Sequence, residues 1–242
     1  KLLSVAIQPD DILRLDNHAE VLVSNERVRQ VQIVSATPQL WEKALQAVPL
    51  VRVGKPIRPS QYKPVPADIT IFDGYLPREV PPGNLLIVNP PANQTFIPVV
   101  GETGPVQAIR ARYDHPLLDA ADLTALYVNK TRQVKPPPWA DVLLESGDWP
   151  LLLAGRESGR RVVVMTFDPS QSELPQRIAF PVLVNNVIGW LTPDDFTTEV
   201  KPGTVLDLIP AGEAKELVVK LPNGKAQVSP AQGKPIRFAA TD

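Results

Sequence analysis

The predicted architecture starts from residues 28–53, which read VRQVQIVSATPQLWEKALQAVPLVRV. Residues 31–34 predict a strand, and Thr37-Pro38 is typical of a helix start, with a capping hydroxyl followed by proline. Apolar side chains then recur on one helical face, at Leu40, Trp41, Ala44, Leu45 and Val48. Because Val51 and Val53 begin a second strand, this segment predicts a strand–helix–strand unit of the size needed for a parallel pair.

Three further apolar runs, at 69–72, 85–88 and 161–167, predict more strands of the same sheet. The connections at 54–67 and 75–84 contain several prolines, so neither is an ordinary crossover helix. One more helix is predicted from an apolar face made of Phe180, Leu183, Val184, Val187, Ile188 and Leu191. Residues 28–192 therefore predict an α/β domain with a mainly parallel sheet and few helices.

The two ends of the chain have a different, β-rich pattern. Residues 1–27 predict two strands that belong to a preceding β domain, cut from a longer protein. Residues 193–242 predict a small β domain, which we expect to be incomplete, with a hairpin turn at Leu221-Pro-Asn-Gly224. The predicted organisation is thus β-rich segments on either side of one α/β domain.

Composition excludes several classes of function. Proline supplies 28 of 242 residues, about twice its usual share of about 5%, which argues against a helical bundle. The formal net charge is −1, so no basic field is present to hold nucleic acid. The chain has no cysteine, which removes disulfides, zinc–thiolate sites and thiol nucleophiles. We predict no metal site and no cofactor.

Two motifs carry conceivable chemistry. Asp168-Pro-Ser-Gln-Ser172 has the Asp-x-Ser-x-Ser spacing with which von Willebrand factor A domains hold a divalent ion. In those domains the motif follows the first strand and needs a downstream Thr and Asp, whereas only 70 residues follow it here. Ser172 also fits a helix cap. His115 could be a catalytic base, but the pattern favours a capping or loop histidine.

Polar residues stand where the predicted parallel strands end. Parallel sheets collect ligands at the carboxyl ends of their strands, so these positions are weak candidates for ligand binding. The candidates, with the loop histidine added, are Ser35, Asp73, Asn89, His115 and Asp168. No catalytic motif is present, and no catalytic residue is assigned.

Several stretches together resemble the C-terminal region of bacterial membrane-anchored aerotolerance regulators of the BatA-like type. They are Ile71-Phe-Asp-Gly74, Pro82-Gly-Asn-Leu-Leu-Ile-Val-Asn-Pro-Pro91, His115-Pro-Leu-Leu118, and the motifs between Phe167 and Pro181. Proteins of this family carry two membrane helices and a von Willebrand factor A domain, followed by a region similar to class I glutamine amidotransferases. The resemblance implies a flavodoxin-like fold. Asn89-Pro-Pro91 would stand about where the catalytic cysteine elbow falls, and glutaminase activity is excluded because no cysteine exists.

Three functions follow as hypotheses. The first is a non-catalytic structural or protein-interaction module, in contact with a protein partner or other domains of its own chain. The resemblance implies a membrane-anchored parent and a position on the extracytoplasmic side of a bacterial membrane. The alternative is a small-molecule-binding module that uses the strand ends of a degenerate amidotransferase-like fold. A third is a hydrolase that combines Ser35 or Asp73 with His115.

Overall fold

A computed structural model describes residues 27–92 and 94–193 continuously, and six strands outside these ranges. In chain order the strands are β1 (Leu2–Ala6), β2 (His18–Leu22), β3 (Arg29–Val34), β4 (Val51–Val53), β5 (Ile69–Asp73), β6 (Asn84–Val88), β7 (Val99–Thr103), β8 (Val106–Gln107), β9 (Arg110–Ala111), β10 (Tyr127–Val128), β11 (Thr131–Val134), β12 (Ala140–Ser146), β13 (Trp149–Glu157), β14 (Arg160–Met165), β15 (Val205–Leu208), β16 (Glu216–Lys220), β17 (Ala226–Pro230) and β18 (Ile236–Ala239). The two α-helices are α1 (Gln39–Gln46) and α2 (Ala179–Leu191).

The chain divides into two compact units, one formed by Lys1–Val23 with Asp195–Asp242 and the other by Ser24–Asp194. The sequence predicts a preceding β domain at 1–27 and a small β domain at 193–242, and it leaves open whether the two segments belong together. In the unit that contains both chain ends, β1 pairs with β2, β15 with β18 and β16 with β17, all antiparallel. The predicted turn at Leu221–Gly224 lies outside the described residues.

The central unit is built on an eight-stranded sheet with the order β4-β3-β5-β6-β14-β13-β12-β9. Five neighbouring strands are mutually parallel, namely β4, β3, β5, β6 and β14. The sheet then continues with antiparallel pairing through β13, β12 and β9. The sheet is therefore mixed rather than mainly parallel. The reason is that only Ser158 and Gly159 separate β13 from β14, and so short a loop allows only antiparallel pairing.

Both helices cover the same face of the sheet. Trp41, Ala44 and Leu45 of α1 are buried against it. The apolar residues of α2 complete this core, as the sequence predicts: Phe180, Leu183, Val184, Val187, Ile188 and Leu191 are all buried. The α1 prediction needs one correction, because Pro38 occupies the cap position and no side chain caps the helix.

The other face of the sheet is covered by irregular chain rather than by helices. Its core contains Phe72, Leu85, Ile87, Val162 and Val164 from the strands. Tyr62 and Tyr75 from the proline-rich connections pack on Phe72, with ring centroids 5.3 and 6.1 Å away. Proline excludes regular helices from these connections, so aromatic side chains supply the buried area that crossover helices would otherwise provide. In the described part of the chain, no helix is long and apolar enough to cross a bilayer.

Candidate functional site

Four of the predicted candidates lie at one edge of the sheet, where the parallel strands end. Ser35 directly follows β3, Asp73 is the last residue of β5, Asn89 directly follows β6, and Asp168 comes shortly after β14. These strands are neighbours in the sheet. We call Ser35, Asp73, Asn89 and Asp168 the strand-end rim. The strand order changes direction at β3, because β4 lies on one side of it and β5, β6 and β14 follow on the other. Open α/β sheets bind ligands at such a switch point, here between β3 and β5.

At this reversal Ser35 and Asp73 are bonded to each other. The Ser35 hydroxyl donates to Asp73 Oδ2 at 2.8 Å, and Ser35 Oγ accepts from the Thr37 backbone N–H at 3.0 Å. The Trp41 side chain lies close enough to Asp73 to lower the pKa of its carboxyl. Ser35 and Trp41 are almost fully buried, at 2% and 1% exposure. The protein's own groups thus bond to Ser35 Oγ and Asp73 Oδ2 at the place where a ligand would be expected.

The Asp73 carboxyl is perturbed by this environment. Burial raises its pKa above the ordinary value, and the negative charge of Asp168 raises it further. The hydrogen bond from Ser35 and the Trp41 side chain oppose this shift, because they stabilise the carboxylate form. A carboxyl with a raised pKa at the end of a strand is the type of group that active sites use, but here its nearest partners are a serine and a tryptophan.

Asn89 belongs to a separate network. Its Oδ1 accepts from Arg132 Nε at 2.8 Å, and Arg132 also pairs with Glu102 at 2.7 Å. Lys130 holds the other oxygen of Glu102 at 2.5 Å. The two-stranded β7–β11 ribbon that carries these charges therefore binds the end of β6. The side-chain oxygen of Asn89 is thus bonded to Arg132 of the same chain.

Asp168 is used in a local turn. Its Oδ1 accepts from both the backbone N–H and the hydroxyl of Ser170, each at 2.8 Å. Ser172 Oγ donates to the Pro169 carbonyl oxygen at 2.8 Å and accepts from the Leu174 N–H. Asp168 of the Asp-x-Ser-x-Ser motif thus caps the short 3-10 helix Pro169–Gln171, and Ser172 links this helix to the next one, Leu174–Gln176. Among the described residues, no three acidic or histidine side chains are grouped as a metal would require.

His115 does not lie at the strand-end rim, so the structure separates it from the other candidates. Its ring centroid is 5.8 Å from that of Trp190, near the end of α2. Trp190 is bonded through its carbonyl oxygen to Arg161 at the start of β14, whereas Asp168 follows the end of that strand. His115 Nδ1 accepts from the Leu117 N–H at 3.2 Å, which is the capping role that the sequence favours.

The histidine's position excludes His115 as a base for Ser35 or Asp73. A serine or aspartate nucleophile needs a base within hydrogen-bond distance, and His115 is at the opposite edge of the sheet from Ser35 and Asp73. Burial lowers the pKa of His115, and the positive charge of Arg112 lowers it further. The neutral ring is therefore favoured, which suits its role as acceptor for the Leu117 N–H.

Two residues that complete the rim were missed by sequence reasoning. Trp41 reads as part of an apolar helical face, and nothing in that pattern indicates that its side chain influences the pKa of Asp73. Arg132 is 43 positions from Asn89, in a ribbon that local pattern does not connect to β6. No local signal in the sequence could have found either contact.

No family model and no curated protein matches the chain. Solved structures do match in fold. A cytoplasmic protein from Salmonella typhimurium has a TM-score of 0.55 at 12% identity, covering 67% of this chain and 98% of that one. A second, from Salmonella typhimurium LT2, has a TM-score of 0.54 at 9% identity, with 67% and 99% covered. A putative ThuA-like protein from Parabacteroides merdae has a TM-score of 0.49 at 13% identity, with 72% and 93% covered. At such identities the two Salmonella proteins share with this chain an α/β fold, and nothing more is concluded from them.

Proposed function

We propose that this chain is a non-catalytic structural or protein-interaction module of a membrane-anchored bacterial envelope protein, on the extracytoplasmic side of the membrane. The observation that carries the proposal is the state of the strand-end rim. Ser35 bonds to Asp73, Arg132 bonds to Asn89, and Ser170 bonds to Asp168. A substrate at the rim would have to replace these hydrogen bonds, whereas a structural role keeps them. The membrane anchor and the location are carried by the BatA-like resemblance alone.

The finer fold proposal is a degenerate, flavodoxin-like, class I glutamine amidotransferase-like domain. Two observations support it. Counted along the chain, the parallel strands have the order 2-1-3-4-5, which is the flavodoxin-like arrangement. Asn89 at the end of β6 has a φ of 45°, a left-handed conformation that suits the sharp turn of a nucleophile elbow. The next two residues are Pro90 and Pro91, which lack the backbone N–H groups that an oxyanion site needs.

The alternative proposal is a small-molecule-binding module that uses the same rim. It is favoured by the raised pKa of Asp73 and by the position of Ser35 and Asp73 at the reversal between β3 and β5. For such a ligand to bind, it would have to replace the hydrogen bond between these two side chains. The exchange is feasible only if the ligand offers Asp73 a donor of similar strength.

A thermal-shift screen separates the two proposals. The purified chain is tested against divalent ions, nucleotides, amino acids and sugars, in parallel with an Asp73→Asn variant. At about a hundred times its dissociation constant, a ligand adds about 2.7 kcal/mol of stability, which is easily detected. The interaction module predicts no ligand that stabilises the parent chain more than the variant. A compound that stabilises only the parent chain would establish the binding module instead.

A further inference from the structure

Two arginines face each other at the edge of the sheet opposite the strand-end rim. Arg156 of β13 pairs directly with Arg161 of β14, so their side chains lie on the same face of the sheet. It is the face that α2 covers, because Val163 and Ala154 on the same side pack in the core with that helix. Like charges directly opposite each other across an antiparallel pair are destabilising.

Within the described residues, neither arginine forms an ion pair. The nearest acidic side chain in sequence, Glu157, is bound to Arg160 Nε and NH2, at 2.8 and 2.6 Å. Asp141 on the neighbouring strand lies 3.9 Å from Arg112. Burial lowers the pKa of Arg161, and the positive charge of Arg156 lowers it further. The pair thus carries positive charge that its surroundings do not neutralise.

The Arg161 guanidinium is held in place from two sides. It donates to the Trp190 carbonyl oxygen near the end of α2, and its central carbon lies 5.2 Å from the centroid of the Trp190 ring. His115 packs against the same indole ring. Arg161 is partly buried in this setting, whereas Arg156 is exposed. Arg161 is therefore pre-oriented, and the exposed side chain of Arg156 can rotate toward an anion bound beside it.

We propose that Arg156 and Arg161, beside Trp190, bind a carboxylate side chain on an acidic segment of a partner protein. A carboxylate would remove the repulsion between the two guanidinium groups and fits their planar donor geometry. Arginine and tryptophan are also enriched among the residues that dominate protein–protein binding. A free small anion at so exposed a position would stay hydrated and screened, whereas a protein segment would cover Trp190 and exclude water.

This inference rests on the proposed interaction function and specifies the partner's chemistry. It is tested with a fluorescein-labelled peptide rich in Asp and Glu, followed by fluorescence anisotropy on the full chain. The counter-peptide has Asn and Gln at the same positions, and inorganic phosphate is tested at equal ionic strength. Arg156→Gln is the informative variant, because Arg161 also holds the end of α2. Arg78→Gln is the matched control, since Arg78 is exposed and its loss changes the net charge equally.

The acidic peptide is expected to bind more tightly than its neutral counterpart. Arg156→Gln should weaken binding about tenfold, while Arg78→Gln should change it by less than about twofold. Without peptide, Arg156→Gln should unfold at the same temperature as the parent chain or higher, because repulsion is relieved. Equal losses in the two variants, or binding of phosphate without binding of the peptide, would overturn the inference. Those results leave the rim screen unaffected, so the two proposals fail separately.

Discussion

Replacing Ser35 by alanine tests whether the rim is a structural element. The substitution removes the donor to Asp73 Oδ2 and the acceptor for the Thr37 N–H in a side chain that is 2% exposed. A hydrogen bond to a charged group contributes about 1.5–3 kcal/mol, and an unsatisfied buried group costs about 1–3 kcal/mol. Because partial relaxation offsets some of this, we expect Ser35→Ala to lower the free energy of unfolding by about 2–3 kcal/mol at pH 7.

The loss should depend on pH with a definite sign. The folded-state pKa of Asp73 is raised above its ordinary value, so this group favours the folded state below its unfolded pKa and loses that contribution as pH rises. Removing the Ser35 donor raises the folded-state pKa of Asp73 further. The destabilisation by Ser35→Ala should therefore be largest at neutral pH, where the folded protein must hold an ionised Asp73. It should shrink as pH falls and the carboxyl becomes protonated.

Urea unfolding followed by tryptophan fluorescence provides the assay. All 4 tryptophans of the chain, at positions 41, 139, 149 and 190, belong to the unit Ser24–Asp194, so the signal reports on that unit. Asp73→Asn and the double variant complete a thermodynamic cycle, in which Ser35→Ala should cost less in the Asp73→Asn background than in the parent chain. A loss below about 0.5 kcal/mol, or an equal loss at pH 4 and pH 7, would refute the reasoning.

The remaining predictions concern packing and capping. The folded-state pKa of His115 is lowered, so the unfolding free energy should fall as pH drops below about 6.5, the ordinary histidine pKa. A protonated ring can no longer accept from the Leu117 N–H. His115→Gln should reduce this pH dependence. Leu183→Ala in the buried face of α2 should cost about 2–5 kcal/mol in urea unfolding, whereas Asn185→Ala on the exposed side should change stability by less than about 0.5 kcal/mol. Gly155→Ala should lower the melting temperature, because a Cβ there would overlap the Trp139 carbonyl oxygen.

Much of the central unit could be predicted from local pattern. The helix from Phe180 to Leu191 follows from an apolar face with a helical period, and its residues are buried as expected. The apolar runs at 69–72, 85–88 and 161–167 correspond to buried strands of the sheet. The prolines of 54–67 and 75–84 correctly indicate that these connections contain no crossover helix. These features could be predicted because each one depends on residues close together in the chain.

The antiparallel half of the sheet was harder to predict. β12 lies next to β13 with two irregularities in register, and its residues Ala140–Ser146 do not alternate cleanly between polar and apolar. The edge strand β9 has only two residues, Arg110 and Ala111. Such short or bulged strands leave little periodic signal. Their place in the sheet depends on neighbours that lie far away in sequence.

The sequence by itself determined the identity of the helices and main strands, the faces they bury, and the absence of thiol chemistry, because periodicity and composition are local properties of the chain. The tertiary structure decided which polar groups meet. Ser35 and Asp73 are 38 positions apart and come together because β3 and β5 are neighbours in the sheet. The sequence also allowed His115 as a partner for them. In the structure, however, His115 packs on Trp190 near the end of α2, at the opposite edge of the sheet. Strand order and helix direction set these distances, and neither is encoded in any single stretch of residues.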